Sequence, residues 1–410
     1  MDSSAVNGAG PGGADTARLT ELRRALVAKM QERGALADPR VAAAFAAVPR
    51  HLFLPDVAPE RVYSDQAITT KEQGGVGLSS SSQPSMMAIM IQQALLEPGQ
   101  RILEIGAGTG YNAAILRCLT GPTGQVTTID VDADIVAGAH AGLARAGYGD
   151  VRVILGDGGY GWAEGAPYDR IIVTVGASDL PPAWVEQLRP DGLLTVPLAL
   201  GAGEFSAALR KLPGGILMSE SLDPCSFVRL RGAFVGAERV VQHGEWTVIV
   251  EEAPRLQSAL APALLDMPLG EVLLPAETGS AAYFLSFCGT PVARLWRAAG
   301  PEEPEADRWR FGFLDTATQS GCILAGSLLR DRQGAAVRAW LYGSRAVYDW
   351  LLVQLERWRA LGRPGVADTR VVVYPQNGPA APPTPLRISK PTSTLILTRR
   401  NGRPFSVTAL

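Results

Sequence analysis

The chain has 410 residues, 47% hydrophobic and 19% charged, enough apolar material for two cores. A formal net charge of −2 excludes the broad basic field that nucleic acid or an anionic lipid surface would call for, so neither is expected as a partner. Cys118, Cys225, Cys288 and Cys322 show no C-x-x-C spacing and no paired histidine nearby, which argues against a metal site or a disulfide framework and for reduced, mostly buried thiols.

The opening stretch MDSSAVNGAGPGGADTARL is small, polar and glycine-rich. It lacks the apolar core of a signal peptide and predicts a disordered tail over residues 1–18. No later apolar run reaches bilayer length, so a soluble, cytoplasmic chain is expected. Leu19, Leu22, Leu26 and Met30 recur at helical spacing, with Arg23 and Arg24 on the other face. A short helix stopped at Pro49 follows, then VYSDQAITT, four consecutive serines, and a helix MMAIMIQQALL ended by Pro98-Gly99.

From residue 101 the pattern becomes strand, glycine turn, helix, strand: RILEIG, AGTG, YNAAILRCL, GQVTTIDVD. Strands follow at VRVILGD, DRIIVTVGA and GLLTVPLAL. Alternating strands and helices predict an α/β domain with a Rossmann-like, doubly wound parallel sheet over residues 19–235. Beyond it, EWTVIVEEA, GEVLLP, RWRFGFLD, GCILAGSLLRD, VRAWLYG, RVVVYPQ and STLILTRR read as strands. SRAVYDWLLVQLERWRALG is an amphipathic helix with Val347, Trp350, Leu351, Leu355 and Trp358 on one face, Ser344 at its start and Gly362 at its end. Residues 236–410 are therefore expected to form a C-terminal α+β domain, with GPEEPEADRW and QNGPAAPPTP as loops. Trp309, Trp340, Trp350 and Trp358 are expected in its core.

The chemistry concentrates in three strand ends. Gly106, Gly108 and Gly110 lie between a strand and a helix, where absent side chains let a ligand approach the backbone. Their G-x-G-x-G spacing, with Glu104 just ahead, differs from the G-x-G-x-x-G dinucleotide fingerprint and favours S-adenosylmethionine over a nicotinamide cofactor. Asp130 ends the next strand about where an acid would accept from both ribose hydroxyls. Asp157, between Gly156 and Gly158, ends the third and is placed to accept from an adenine amino group. Each feature alone has a bland reading as a turn or a cap. His51, His140 and His243 are isolated and read as surface or packed side chains.

Together, VPRHLFLP, YSDQAI, SSSSQP, LEIGAGTGYNAA, GDGGYGWAEGAPYDRIIV, LRPDGLLTVPL and FVRLRG resemble the protein-L-isoaspartate O-methyltransferase family over roughly residues 20–235. The resemblance implies S-adenosylmethionine bound by Glu104, Gly106, Ala107, Gly108, Tyr111, Asn112, Asp130, Val131, Gly156, Asp157 and Gly158. It places Ser82 at the active-site serine that holds the acceptor carboxylate, and Ser80 where the family has threonine. Ser81, Gln83 and Arg229 are expected to line the substrate pocket. Ser81 stands for an apolar residue, Ser226 for the family's arginine and Arg229 for a proline. A flexible serine linker is the other reading of residues 79–82.

The C-terminal half resembles, more loosely, the methyltransferases encoded with lanthipeptides and other ribosomally made peptides, including the FxLD-system group, through FGFLD and YGSRAVYDWLLVQLERWRALGRPG. That likeness implies a modified precursor peptide as partner and methylation of an Asp side chain, whose ester closes to an aspartimide and opens to isoaspartate. Repair of isoaspartyl residues in damaged proteins is the alternative, and a non-catalytic binding module is a third reading. A carboxylate is already ionised near pH 7 and needs no general base, so the absence of a His–Asp or Cys–His pair is expected.

Overall fold

In the computed structural model the first helix, α1 (Pro11–Glu32), starts inside the stretch expected to be a disordered tail. Residues 11–18 are helical, with Pro11 at a position whose missing N–H costs nothing and the Thr20 hydroxyl donating to the Thr16 carbonyl. Residues 1–10 of that expectation lie outside the described residues. These are 11–73, 76–201, 203–236, 238–251, 261–289, 292–297, 309–324, 336–384, 386–401, 403 and 405. The chain divides into two units, one ending at Thr174 and one beginning at Val175.

In the first unit α2 (Pro39–Ala47) follows α1, and Asp38 caps it by accepting from the Arg40 N–H at 2.7 Å. After α3 (Pro59–Val62), strands β1 (Ile68–Gln73) and β2 (Val76–Ser81) pair antiparallel as a hairpin, and α4 (Pro84–Gln93) begins at once. The parallel sheet is built from β3 (Arg101–Ile105), β4 (Gln125–Asp130), β5 (Arg152–Leu155) and β6 (Tyr168–Val173), with α5 (Tyr111–Thr120) and α6 (Ala133–Arg145) as crossovers. The order is β6-β3-β4-β5. Four of the five β3 residues are buried, as expected of a strand covered on both faces. Winding reverses between β3 and β6, so the carboxyl end of β3 opens at the switch point where such sheets bind ligands.

The second unit begins with α7 (Pro182–Gln187), β7 (Leu188–Ala199), β8 (Glu204–Lys211) and β9 (Leu217–Cys225). A boundary near residue 235 was expected; the unit instead starts some sixty residues earlier. The reason is a long-range pairing: β9 joins β17 (Thr369–Pro375) through Met218 opposite Val372 and Leu217 opposite Val373. With β18 (Arg387–Ser389) and β19 (Ser393–Arg399) these strands run β18-β19-β17-β9-β8-β7, all antiparallel.

Its other sheet comprises β10 (Glu238–His243), β11 (Trp246–Glu251), β12 (Pro268–Leu274), β13 (Val292–Arg297), β14 (Trp309–Asp315), β15 (Ser320–Leu324) and β16 (Val337–Gly343), ordered β10-β11-β13-β14-β15-β16-β12. Two further helices are α8 (Thr278–Leu285) and α9 (Ala346–Ala360). In α9 Val347, Leu351, Leu355 and Trp358 are buried, and Trp350 packs on Phe313 with ring centroids 5.3 Å apart. Its first turn is held by Ser320, whose hydroxyl accepts from the Val347 N–H at 2.9 Å, more closely than the expected Ser344 cap, 3.4 Å from the Ala346 N–H. Gly362 closes it with φ +90°. Trp340 packs against the Val248, Leu295 and Ile323 cluster; the side chain of Trp309, residues 325–331 of the expected GCILAGSLLRD strand and residues 300–308 of the expected loop lie outside the described residues.

Candidate active site

The loop after β3 is conformationally demanding: Gly106, Gly108 and Gly110 have φ of +100°, +50° and +85°. L residues with side chains adopt such angles at a cost, which explains the three glycines. The loop's N–H groups are spent internally. Those of Gly106 and Ala107 donate to the Ile129 carbonyl, that of Gly108 to Asp130 Oδ2 at 3.2 Å, and that of Gly110 to the Ala107 carbonyl. An anion-binding turn keeps its N–H groups free for phosphate, so this loop does not suit the pyrophosphate of a dinucleotide. The Thr174 hydroxyl, at the end of β6, fixes the loop from behind by donating to the Gly106 carbonyl at 2.7 Å.

Glu104 lies entirely below the surface. Its Oε1 accepts from Asn112 Nδ2 at 2.7 Å, while its Oε2 has no hydrogen-bonding partner among the described residues. Burial pushes its carboxyl up to about 7, with Thr128 and Asn112 tempering the rise and Asp130 adding to it. The amide of half-buried Asn112 is therefore oriented by the Glu104 carboxylate.

Asp130 is 9% exposed, and Val131 beside it is exposed. Half-buried Asp157 accepts the Gly159 N–H at 2.9 Å, and the Gly156 N–H donates to the Asp130 carbonyl. A side chain at Gly158 would meet Ile105 Cγ2 at 2.5 Å, so this glycine is required for the third strand end to lie against the first. Two carboxylates at adjacent strand ends, an exposed valine and a tight glycine turn fit an adenosyl group. Tyr111, at the start of α5, has its ring buried against Phe53 and Phe45 at centroid distances of 5.6 and 6.2 Å, and burial raises its phenol.

The four serines are neither linker nor cap; Ser79, Ser80 and Ser81 close the hairpin. Strand alternation sorts Ser79, Ser80 and Ser81, because successive side chains point to opposite faces, and Ser82 follows the strand's last residue. Ser79 and Ser81 are buried, while Ser80 and Ser82 are half-exposed. Ser81 Oγ accepts from Arg50 Nη2 at 3.1 Å, so its hydroxyl is held on the buried side. Among the described residues nothing hydrogen-bonds the hydroxyls of Ser80 or Ser82. The strand lies directly on the glycine loop: a Cβ at Gly108 would sit 3.4 Å from the Ser80 carbonyl oxygen. Exposed Gln83 precedes α4, and its side chain helps lower the nearby Asp65 carboxyl.

Three contributors carried no role in the sequence. Arg50 is fully buried and donates to the Ser82 carbonyl at 3.0 Å. Asp65 accepts from the Ser85 N–H and hydroxyl at 3.0 and 2.8 Å, fixing the start of α4. Burial alone would raise its carboxyl, but those bonds, Gln83 and the Arg33 charge hold it below the usual range. Lys71 pins the hairpin to the start of α6 through Asp132 and Asp134, both at 2.8 Å. Arg50 and Asp65 lie within the quoted VPRHLFLP and YSDQAI stretches, which was the available signal.

In the second unit Arg229 pairs with the buried carboxylate of Glu204 at 3.0 Å, and Glu204 also accepts the Phe227 N–H at 2.8 Å. Ser226 is exposed. His51 bonds the Tyr63 hydroxyl at 2.7 Å and His243 bonds Asp266 at 2.8 Å, as packed and surface pairs respectively. All four cysteines are free thiols, and burial holds those of Cys288 and Cys322 up at about 12.

A parallel sheet with a glycine turn at its switch point and acids on the next two strand ends defines a nucleoside-dependent transferase of the Rossmann-like methyltransferase class. Residues 21–233 match the family model described as Protein-L-isoaspartate(D-aspartate) O-methyltransferase (PCMT), and the chain belongs to that family. It is an S-adenosylmethionine-dependent protein carboxyl O-methyltransferase. It is 37% identical over 222 residues to the protein-L-isoaspartate O-methyltransferase of Hyperthermus butylicus, covering 52% of this chain and 90% of the relative. Protein-L-isoaspartate O-methyltransferase 1 of Cupriavidus necator is 36% identical over 223 residues, covering 54% and 83%. A solved structure titled protein-L-isoaspartate O-methyltransferase shares the fold with a TM-score of 0.52 and 23% identity, covering 92% of this chain and 99% of that one.

Proposed function

We propose that this enzyme methylates the free carboxylate of isoaspartyl residues in peptides or proteins. Its curated relatives carry that activity in their names across the matched region. The observation that supports the assignment of roles is the contact of the serine strand with the glycine loop, with the hydroxyls of Ser80 and Ser82 outside the bonds that hold those of Ser79 and Ser81.

When bound, S-adenosylmethionine supplies an electrophilic methyl group on a positively charged sulfur. Asp130, Asp157, Val131 and Asn112 are the residues that would hold it, with the glycine loop as backing. The Ser82 hydroxyl donates to one oxygen of the acceptor carboxylate and leaves the other free to attack, with Ser80 as a second donor on the same face. No residue needs to remove a proton, because the acceptor is ionised near pH 7. The chain's contribution is orientation and the exclusion of water as a competing nucleophile.

Methylation of an ordinary Asp side chain in a ring-constrained precursor peptide is the second reading. It rests on Arg229 and Ser226 at positions that shape the pocket in the family. The C-terminal extension does not separate the two, because a solved structure bearing the isoaspartyl name has a fold covering most of this chain. Three peptides decide between them: a linear isoaspartyl peptide, its linear aspartyl counterpart and a ring-closed aspartyl peptide, each incubated with methyl-labelled donor. A base-labile methyl ester on the first is expected. Labelling confined to the ring-closed peptide would replace this reading with the second.

A further inference from the structure

We propose that Arg50 is a positioning residue for the acceptor carboxylate, acting through the backbone of Ser82; the inference rests on Ser82 as the acceptor-holding serine. Arg50 has no exposed surface. Its Nη1 donates to the carbonyls of Val62 at 2.7 Å and Ser64 at 3.3 Å. Its Nη2 donates to the carbonyls of Ser82, Ser81 and Gln66 at 3.0, 3.3 and 3.5 Å and to Ser81 Oγ at 3.1 Å. One planar fork therefore gathers the 50–53 turn, the 62–66 segment and the serine strand.

Its charge is held in an unusual way. Among the described residues no carboxylate forms an ion pair with Arg50, and the nearby Asp65 is occupied by Ser85 and Arg33. Burial lowers the guanidinium's affinity for its proton, while Tyr111, Asp65 and Tyr63 act in the opposite direction; an arginine stays charged regardless. The cation stands 5.7 Å from the centre of the Tyr111 ring, and Tyr111 opens the helix that follows the glycine loop. A well-packed apolar side chain often replaces a buried charge without loss of stability, so packing alone does not account for an arginine here. What it supplies is registry. The Ser82 carbonyl is fixed from the buried side relative to the helix behind the donor loop, and the Ser82 hydroxyl is thereby aimed from the opposite face.

The test uses the full chain carrying Arg50→Lys, Ser81→Ala and Ser82→Ala, singly, and the first two each combined with Ser82→Ala. The readouts are kcat and KM for an isoaspartyl peptide, donor Kd by calorimetry and the thermal midpoint. A lysine keeps the charge but cannot span both sets of carbonyls. Arg50→Lys is expected to lower peptide kcat/KM by about eightfold and Ser81→Ala by about threefold, with donor Kd changed less than about twofold; in the Ser82→Ala background each effect shrinks to within about twofold, since residues acting as one unit are not additive.

An impaired Ser82→Ala beside an unaffected Arg50→Lys overturns the proposal alone, as does an Arg50→Lys loss that multiplies fully with that of Ser82→Ala. An unimpaired Ser82→Ala removes the assignment of Ser82 itself. Should Arg50→Lys not fold, Ser81→Ala decides: a loss that vanishes in the Ser82→Ala background supports the proposal, and unchanged kcat/KM overturns it.

Discussion

Asp130 Oδ2 accepts the Gly108 N–H at 3.2 Å, so the acid that closes β4 also holds the middle of the glycine loop after β3. With Asp130 proposed to hold the donor, donor binding and loop order depend on one carboxylate. Asp130→Ala is expected to weaken donor binding by about tenfold or more, the loss of a charged hydrogen-bonding partner. It should also speed hydrogen exchange at the Gly108 amide in the free enzyme. Lost affinity with unchanged exchange would show that Asp130 meets the ligand without organising the loop.

Glu104 predicts a specific pH signature. Its carboxyl is raised from 4.5 to about 7 by burial, so the folded state prefers the protonated form. Stability from this group is greatest at low pH and declines as pH rises from about 4.5 to about 7, then levels, in total on the order of 3 kcal/mol. Glu104→Gln removes that slope. Without donor, the variant's thermal midpoint should gain on wild type between pH 5 and 8; parallel curves would contradict the buried, half-satisfied carboxyl.

Lys71 ties the serine hairpin to α6 through two carboxylates, Asp132 and Asp134. Lys71→Met should raise amide exchange over 68–73 and 76–81 while leaving β3 and β4 protected. High salt should move wild type toward the variant, because partly exposed ion pairs are screened. If the hairpin remains equally protected in both, its β-pairing alone holds it.

A glycine of the loop before α5 and one inside α6 should respond oppositely to alanine. Gly110 has φ +85° and its Cβ would lie 3.1 Å from the Ala139 carbonyl oxygen, so Gly110→Ala should cost about 1–3 kcal/mol of stability. Gly138, inside α6, has no described residue outside its own helix within 4 Å of where its Cβ would lie; Gly138→Ala should add about 0.5–1 kcal/mol. Denaturant midpoints measure both, and a tolerated Gly110→Ala would mean the loop relaxes without strain.

The parallel half of the fold was legible because strands such as β3 are buried on both faces and read as continuous apolar runs ended by glycine. Sequence spacing also placed Asp130 and Asp157 at adjacent strand ends. It could not sort the serines, since only the register Ile68 opposite Ser81 and Thr69 opposite Ser80 says which hydroxyls turn inward. The burial of the Tyr111 ring was not legible for a related reason: proximity to the loop in sequence does not tell which way the first residue of a helix points. Arg50 escaped notice because an arginine between Pro49 and His51 reads as surface until carbonyls from 62–66 and 81–82 close around it. The unit boundary escaped because Met218 and Val372 pair across a distance that no local pattern reveals.

The proposed division of labour gives Ser82 the orientation of the acceptor and other residues the grip on the donor. Single-turnover methyl transfer to an isoaspartyl peptide, measured with Ser82→Ala beside calorimetric donor affinity on the same sample, tests it most directly. The account predicts transfer slowed by about tenfold or more, the scale of a lost charge-assisted hydrogen bond, at unchanged donor Kd. Transfer at the wild-type rate, or a loss explained wholly by weaker donor binding, would contradict it.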